Sequence, residues 1–93
     1  RKARSAYEAG EYKKALHIFE QLSNDGDSQA QYDLSQMYLQ GIGTNKNLEK
    51  GWIWMNRAAD GGNVQAMLEL AVRYHNSPAL ENSELEVQRG NTT

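Results

Sequence analysis

The sequence contains one stretch in two copies, KALHIFEQLSNDGDSQAQYDLSQMY at residues 14–38 and KGWIWMNRAADGGNVQAMLELAVRY at residues 50–74. The copies align without a gap at an offset of 36 residues. The identical pairs are Lys14 and Lys50, Gly26 and Gly62, Gln29 and Gln65, Ala30 and Ala66, Leu34 and Leu70, and Tyr38 and Tyr74. A period of this length is typical of proteins that stack small helical or strand units. The sequence therefore predicts a repeat protein.

Each copy has the hydrophobic period of a pair of helices. Ala30, Leu34 and Tyr38, for example, recur at helical spacing and form one apolar stripe. Helix-forming residues are plentiful, and the chain has a single proline, Pro78. We expect five helices, near residues 1–9, 12–24, 28–40, 48–60 and 64–75.

Capping residues mark the expected helix ends. A helix N-terminus has backbone N–H groups without partners, and a capping side chain can accept hydrogen bonds from them. Such side chains occur at Asp27 or Ser28, at Asn47 and at Asn63. Glycines follow the expected ends, at Gly10, Gly41 and the Gly61–Gly62 pair.

The helical period also predicts which side chains face inward. On the last helix these are Ala66, Leu70 and Tyr74. On the fourth helix they are Leu48, Gly51, Trp52, Met55, Ala58 and Ala59. Small residues are expected where helices approach closely, since larger ones would push the helices apart, and these are Ala15, Ala30, Gly51 and Ala66. For Trp52 and Trp54 we favour core positions over a role as exposed partner anchors.

Residues 30–70, AQYDLSQMYLQGIGTNKNLEKGWIWMNRAADGGNVQAMLEL, resemble the Sel1-like repeat, a relative of the tetratricopeptide repeat. The positions that match its pattern are Ala30, Tyr32, Leu34, Tyr38, Gly41, Gly43, Lys50, Trp54, Ala58, Ala59 and Gly62. Ser35 and Gly51 depart from it, yet each keeps a small residue at a close helix contact. The first unit resembles the plain tetratricopeptide repeat through Tyr7, Gly10, Tyr12, Ala15, Leu16 and Phe19.

The resemblance implies an all-α fold, an α/α solenoid in which antiparallel helix pairs stack into a right-handed superhelix. We expect a repeat domain at residues 1–75, with units at about 1–26 and 27–62 and a partial unit at 63–75. Residues 76–93 are expected to be a C-terminal capping or disordered segment, because Pro78 ends regular helix nearby. Since the sequence begins with Arg1 rather than methionine, we also expect it to be a piece of a longer protein.

Such repeats resemble scaffolds, so the expected function is a protein–protein interaction module. It would act as an adaptor or regulatory scaffold and bind a peptide or partner protein in its concave groove. Two alternatives stay open. One is an inhibitor or immunity-type protein that blocks a partner enzyme, and the other is a structural segment of a larger multidomain protein. The family implies a bacterial source, with periplasm and cytoplasm both open, while the oligomeric state is not indicated.

The first helix of each unit is expected to form the inner wall of the groove. A polar stripe separate from the core runs along the predicted helix 28–40, through Gln29, Tyr32, Gln36 and Gln40. Gln65, Leu68 and Val72 continue it one repeat later, and Ser5 and Glu8 continue it on the other side. Amide and aromatic groups suit an extended peptide or a helix. The alternative is an ordinary solvated helix face.

The stretch QGIGTNK at residues 40–46 raises the question of a phosphate-binding loop. Such a loop follows a strand and opens a helix directly, whereas a predicted helix precedes this one, so a turn between helices is favoured. His17 and His75 lack partners at metal-ligand spacing, and the chain has no cysteine. We therefore predict no enzyme, no metal and no cofactor.

The charge balance and hydropathy limit the kinds of partner. The formal net charge is −2, which gives no bulk attraction to nucleic acid. No apolar run approaches the roughly 20 residues that a membrane span needs. The resemblance to protein-binding repeats implies that the partner is another protein or a peptide.

Overall fold

The computed structural model describes residues 2–75, which form five α-helices. These are α1 (Lys2–Glu8), α2 (Tyr12–Asn24), α3 (Ser28–Gln40), α4 (Leu48–Asp60) and α5 (Val64–His75). The bounds of the last four helices agree with those predicted from the sequence. Each helix packs against the next one along the chain, so the all-α, sequentially packed fold is confirmed. The prediction for residues 76–93 lies outside the described residues.

Three helices begin at the predicted capping residues. The Asp27 side chain accepts a hydrogen bond from the backbone N–H of Ala30 at 3.0 Å, and Asp27 rather than Ser28 is the cap of α3. Asn47 accepts in the same way from Lys50 at 3.0 Å. Asn63 accepts from Ala66 at 2.8 Å. Each cap satisfies a backbone donor that has no partner within its own helix.

The seven-residue connection 41–47 is a packed turn between α3 and α4. Gly41 ends α3 with a φ of 72°, and Asn47 donates its backbone N–H to the Tyr38 carbonyl at 2.8 Å. Gly43 has a φ of 76°, and a Cβ placed on it would lie 2.6 Å from the carbonyl oxygen of Tyr12. The loop therefore rests against the start of α2, which supports a structural role for QGIGTNK.

The buried side chains form two clusters along the row of helices. The first joins α1, α2 and α3 through Ala3, Ala6, Ala15, Phe19, Ala30, Leu34, Met37 and Tyr38. The second joins α4 and α5 through Met55, Ala58, Ala66 and Leu70. Helix α3 links them, because the Ser35 hydroxyl, which donates to the Tyr32 carbonyl oxygen, also contacts the Met55 sulfur at 3.8 Å.

The small residues lie at close helix contacts, as predicted. Ala15, Ala30 and Ala66 are buried. Gly51 is buried as well, and a Cβ on it would lie 2.5 Å from Leu39 Cδ2. The absence of a side chain at Gly51 thus lets α4 approach α3 closely.

Two residues predicted to face inward are exposed. Leu48 is 53% exposed, since it is the first residue of α4 and its side chain leans toward the N-terminus, beyond the first turn of the helix. Tyr74 is 42% exposed, whereas the equivalent Tyr38 is 6% exposed. Tyr38 contacts Glu20 of α2 and Lys50 of α4, so it is covered from two sides. Among the described helices, α5 packs chiefly against α4 alone.

Replacement of Gly43 by alanine should destabilise the protein more than the same change at Gly10. Both glycines have positive φ, which costs a non-glycine residue about 1–2 kcal/mol. A Cβ at Gly10 meets nothing within 4 Å, whereas one at Gly43 overlaps the Tyr12 carbonyl. Urea unfolding should therefore show a loss in Gly43→Ala that is about 2 kcal/mol larger than in Gly10→Ala. Equal losses in the two variants would contradict the packed loop.

Candidate functional site

Two clefts lie side by side on the face formed by α1, α3 and α5. The α1/α3 cleft has a volume of about 220 Å³ and is lined by Arg4, Tyr7, Phe19, Asp33, Gln36, Met37 and Gln40. The α3/α5 cleft has a volume of about 630 Å³ and is lined by Gln36, Leu39, Trp52, Leu68, Glu69, Val72 and Arg73. Gln36 borders both clefts. We call the two clefts together the groove.

The α3/α5 cleft is largely apolar. Leu68 and Val72 on α5 are 61% and 58% exposed. Trp52 reaches the cleft from α4 and also packs against the second core cluster, so it is half-buried. The guanidinium of Arg73 lies 4.4 Å from the centroid of the Trp52 ring, which is a cation–π contact. The cleft therefore offers apolar contact area with a cation at its edge.

Side-chain hydrogen bonds connect the repeats across the groove. Gln36 donates from its amide nitrogen to the Glu69 carboxylate at 2.6 Å, which joins α3 to α5. Gln40 in turn donates to the Gln36 carbonyl oxygen at 3.0 Å. Burial raises the pKa of Tyr32 above its usual value, and the neighbouring Glu69 carboxylate raises this pKa further. Gln36 is thus held in one orientation between the two clefts.

An ion pair joins the first two units. Arg4 of α1 lies 3.6 Å from the Asp33 carboxylate of α3. Burial raises the pKa of Asp33 above its ordinary value, and the nearby Arg4 guanidinium only partly offsets that effect. The repeat offset aligns Asp33 with Glu69, so a carboxylate stands at the same place in both junctions. Asp33 contacts α1, and Glu69 contacts α3.

The structure brings together some of the predicted partner-binding residues. Gln36, Gln40, Leu68 and Val72 line the groove. Tyr32 and Gln29 do not line either cleft. Tyr32 is half-buried and packs against the second core cluster. The Gln29 amide oxygen accepts from the capping residue Asn63 at 3.2 Å, and its amide nitrogen donates to Asp33 at 3.3 Å.

The other predicted residues lie apart from the two clefts. Ser5 lies in a separate cleft with Lys2 and Lys14, on the side of α1 that faces α2. Glu8 and Gln65 are exposed. A role in binding a partner remains a prediction for these three residues and for all the other predicted partner-binding residues.

Several lining residues were not predicted from the sequence. They are Arg4, Tyr7, Asp33, Leu39, Glu69 and Arg73. Trp52 also lines the groove, although the sequence predicted only a core position for it. Asp33 and Glu69 occupy equivalent positions of the repeat, and such positions have equivalent neighbours. The alignment of the two copies could therefore have identified both carboxylates as groove residues. Trp52 and Trp54 both contact a core cluster, and both stay half-buried rather than buried.

The described part of the chain, residues 2–75, has neither a cluster of metal-ligating side chains nor a helix of membrane-spanning length. Within that range, no three His, Cys, Asp or Glu side chains are grouped so that they could hold a metal ion. None of the helices described there is long and apolar enough to cross a membrane.

Residues 28–63 match the family model of the Sel1 repeat. A stretch of 43 residues is 47% identical to a sel1-like repeat-containing protein of Acanthamoeba polyphaga mimivirus. This stretch covers 46% of the present chain and 7% of that relative. Because this relative is viral, the bacterial source remains a prediction.

Replacement of Asp33 by asparagine should stabilise the protein at pH 7. A raised native pKa means that the folded state binds a proton more tightly than the unfolded chain, so ionised Asp33 costs stability at neutral pH. This cost disappears as the pH falls below the ordinary aspartate value of 3.8, where both states are protonated. The stability gain of Asp33→Asn over wild type should therefore shrink toward acid pH.

The measurement is urea unfolding at several pH values, followed by far-UV circular dichroism. Asp25→Asn serves as the control, because Asp25 is exposed at the end of α2. A gain for Asp33→Asn that grows as the pH falls would show that the ion pair with Arg4 outweighs burial.

Proposed function

Since this chain contains a Sel1 repeat, and such repeats are in general protein-interaction modules, we propose that it is an adaptor that binds a partner protein in its groove. The bound element is an extended segment or a helix whose apolar side chain enters the α3/α5 cleft. The observation that carries this proposal is the exposure of Leu68 and Val72 beside the ring of Trp52.

The cleft has the composition of a binding hot spot. Tryptophan is enriched at such sites, because its large surface is removed from water when a partner packs on it. Leu68 and Val72 supply aliphatic walls on one side, and Leu39 supplies a wall from α3. Burial of apolar surface here supplies the main favourable contribution to binding.

The polar groups of the groove set the orientation of the partner. The amides of Gln36 and Gln40 can exchange hydrogen bonds with a peptide backbone, as extended ligands require. Gln36 is already fixed by Glu69, so less side-chain entropy is lost on binding. Gln29, Tyr32 and Gln65 are the proposed outer contacts on α3 and α5, and Ser5 and Glu8 are the proposed contacts on α1.

The charges of the groove favour selectivity over bulk attraction. Arg4 and Asp33 pair in the α1/α3 cleft, while Glu69 and Arg73 border the α3/α5 cleft. Each cleft thus presents one cation and one anion. A partner is recognised by the position of its charged groups and not by its net charge.

A peptide library displayed on phage tests the proposal directly. Peptides selected on the wild-type domain should bind Leu68→Asp and Gln36→Ala at least about tenfold more weakly, a change of about 1.4 kcal/mol. The aspartate places an unpaired charge against the apolar cleft, and the alanine removes the central amide. Binding would be measured by fluorescence anisotropy of the labelled peptides.

Ile53→Asp is the matched control. Ile53 is an aliphatic residue that is 46% exposed, but it lies in the cleft between α2 and α4. The selected peptides should bind this variant as they bind wild type. Peptides that lose affinity for Ile53→Asp and not for Leu68→Asp would move the site to the opposite face, and failure to select any peptide would overturn the proposal.

A further inference from the structure

Arg73 brings a positive charge to the edge of the α3/α5 cleft that no carboxylate of the described residues neutralises. Its side chain is exposed on the last turn of α5, and the one salt bridge in the described part of the chain joins Arg4 to Asp33 in the other cleft. Glu69 lies one turn earlier on α5, at a spacing that often gives an ion pair. Its carboxylate instead accepts a hydrogen bond from Gln36 of α3. The charge of Arg73 is therefore open to a partner.

The guanidinium of Arg73 is held in position by Trp52. Its central carbon lies 4.4 Å from the centroid of the indole ring. A cation–π contact of this kind uses the face of the ring and none of the N–H donors of the arginine. Those donors form a fork that matches the two oxygens of a carboxylate. Because the side chain already rests on Trp52, less conformational entropy is lost when a carboxylate binds.

The repeat itself does not require this pair of residues. The offset of 36 residues aligns Arg73 with Met37 and Trp52 with Leu16. Met37 is 1% exposed, and Leu16 packs against the first core cluster, so the first unit has two apolar residues at these places. The α3/α5 cleft thus has a cation where the α1/α3 cleft has a thioether. A position that is apolar in one copy of the unit needs no charge for folding, which favours recognition as the role of Arg73.

We propose, on the premise that the groove is the binding site described under the proposed function, that it selects a partner segment with an aspartate or glutamate close to its apolar anchor. Arg73 is the residue that makes this selection. The apolar anchor packs on Trp52 beside Leu68 and Val72, which line the same cleft. The acidic side chain pairs with the guanidinium that lies over the same ring.

The contact between Arg73 and Trp52 sets the spacing of the two groups in the partner. The anchor and the carboxylate must lie close together on one side of the segment. In an extended segment, side chains two residues apart do so, at about 7 Å. In a helix, side chains three or four residues apart do so, at about 5–6 Å. In the extended case an acidic residue directly next to the anchor points to the opposite face, so position is selected as well as charge.

Glu69 limits where the acidic side chain of the partner can lie. It is one helical turn from Arg73, and a second carboxylate between the two would be repelled. The acidic side chain therefore approaches Arg73 from the side toward the end of α5, and the anchor lies on the side toward Glu69. The two groups thus have fixed places along α5.

A side-chain carboxylate fits this place better than the carboxylate at a chain end. Terminal carboxylates are captured where several backbone N–H groups converge. Arg73 lies in the last turn of α5, where the helix backbone presents carbonyl oxygens instead. The segment is therefore an internal one that carries an aspartate or glutamate.

Matched peptides test this selection. The starting peptides are those that phage display selects on wild type and whose affinity falls with Leu68→Asp. Each peptide with an acidic residue at the proposed spacing is compared with a copy in which asparagine or glutamine replaces that residue. Fluorescence anisotropy should show that the full wild-type chain binds the acidic form about tenfold more tightly than the amide form. Arg73→Gln should bind the two forms alike.

Arg57→Gln is the matched control. The guanidinium of Arg57 lies 4.8 Å from the centroid of the Trp54 ring, so it makes the same kind of contact, but in the cleft between α2 and α4. This variant should keep the tenfold preference for the acidic form. If Arg73 served only to hold Trp52, Arg73→Gln would weaken both forms equally and keep the preference.

Charge reversal gives a second readout. Arg73→Glu should prefer peptides in which lysine replaces the acidic residue, because the opposite charges then meet again. A variant that was merely misfolded would bind no form of the peptide better than wild type does. Lack of this exchange of preference would contradict the assigned pair.

The outcomes distinguish the role of Arg73 from the binding role of the groove. Selected peptides that need Leu68 but bind equally well in acidic and amide forms would overturn the role of Arg73 alone. Selected peptides without an acidic residue at the proposed spacing would do the same. Peptides that bind Leu68→Asp as tightly as wild type would overturn both proposals.

Discussion

The close approach of α3 and α4 at Gly51 is the contact on which the rest of the structure depends. A methyl group there would overlap Leu39, so at this point the backbone of α4 lies directly against the Leu39 side chain of α3. Helix α4 then brings Trp52 to the floor of the α3/α5 cleft and provides the surface on which α5 packs. A shift of α4 would therefore widen or close the proposed site without any change in the groove residues themselves.

The core and the groove hold the repeats together by different means. The two core clusters consist of apolar side chains, and burial alone favours their contact. Across the groove the units are joined by Arg4 with Asp33 and by Gln36 with Glu69. Such polar contacts near the surface contribute little net stability, about 0–1 kcal/mol for an ion pair. Their importance lies in the geometry that they impose on the proposed binding surface.

Most of the fold could be predicted from the sequence, because the decisive signals are local. The capping side chains of Asp27, Asn47 and Asn63 act on backbone groups three residues away, so sequence spacing is enough to identify them. Leu48 and Tyr74 were assigned wrongly for a different reason. A helical period gives the face on which a residue lies, but not whether a neighbouring helix extends far enough to cover it.

The candidate site was less accessible to sequence analysis. Long side chains such as Arg4 and Arg73 reach across to other helices, and their partners depend on how the helices are placed. The stripe through Gln36, Leu68 and Val72 could be predicted because it follows from the repeat itself. Ser5 was placed by analogy with the second unit, yet in the structure it lies toward α2.

The contact of Gly43 with Tyr12 has a consequence for how such arrays lengthen. The glycine meets the main-chain carbonyl of Tyr12, an atom that every residue has, at the first position of the second helix of the preceding unit. Leu48 occupies the same position in the next unit. A tandem duplication of residues 27–62 would thus offer the new loop the same backbone group, with no compensating substitution. Tandem copies of the unit can therefore follow one another along the chain, each loop resting on the second helix of the unit before it.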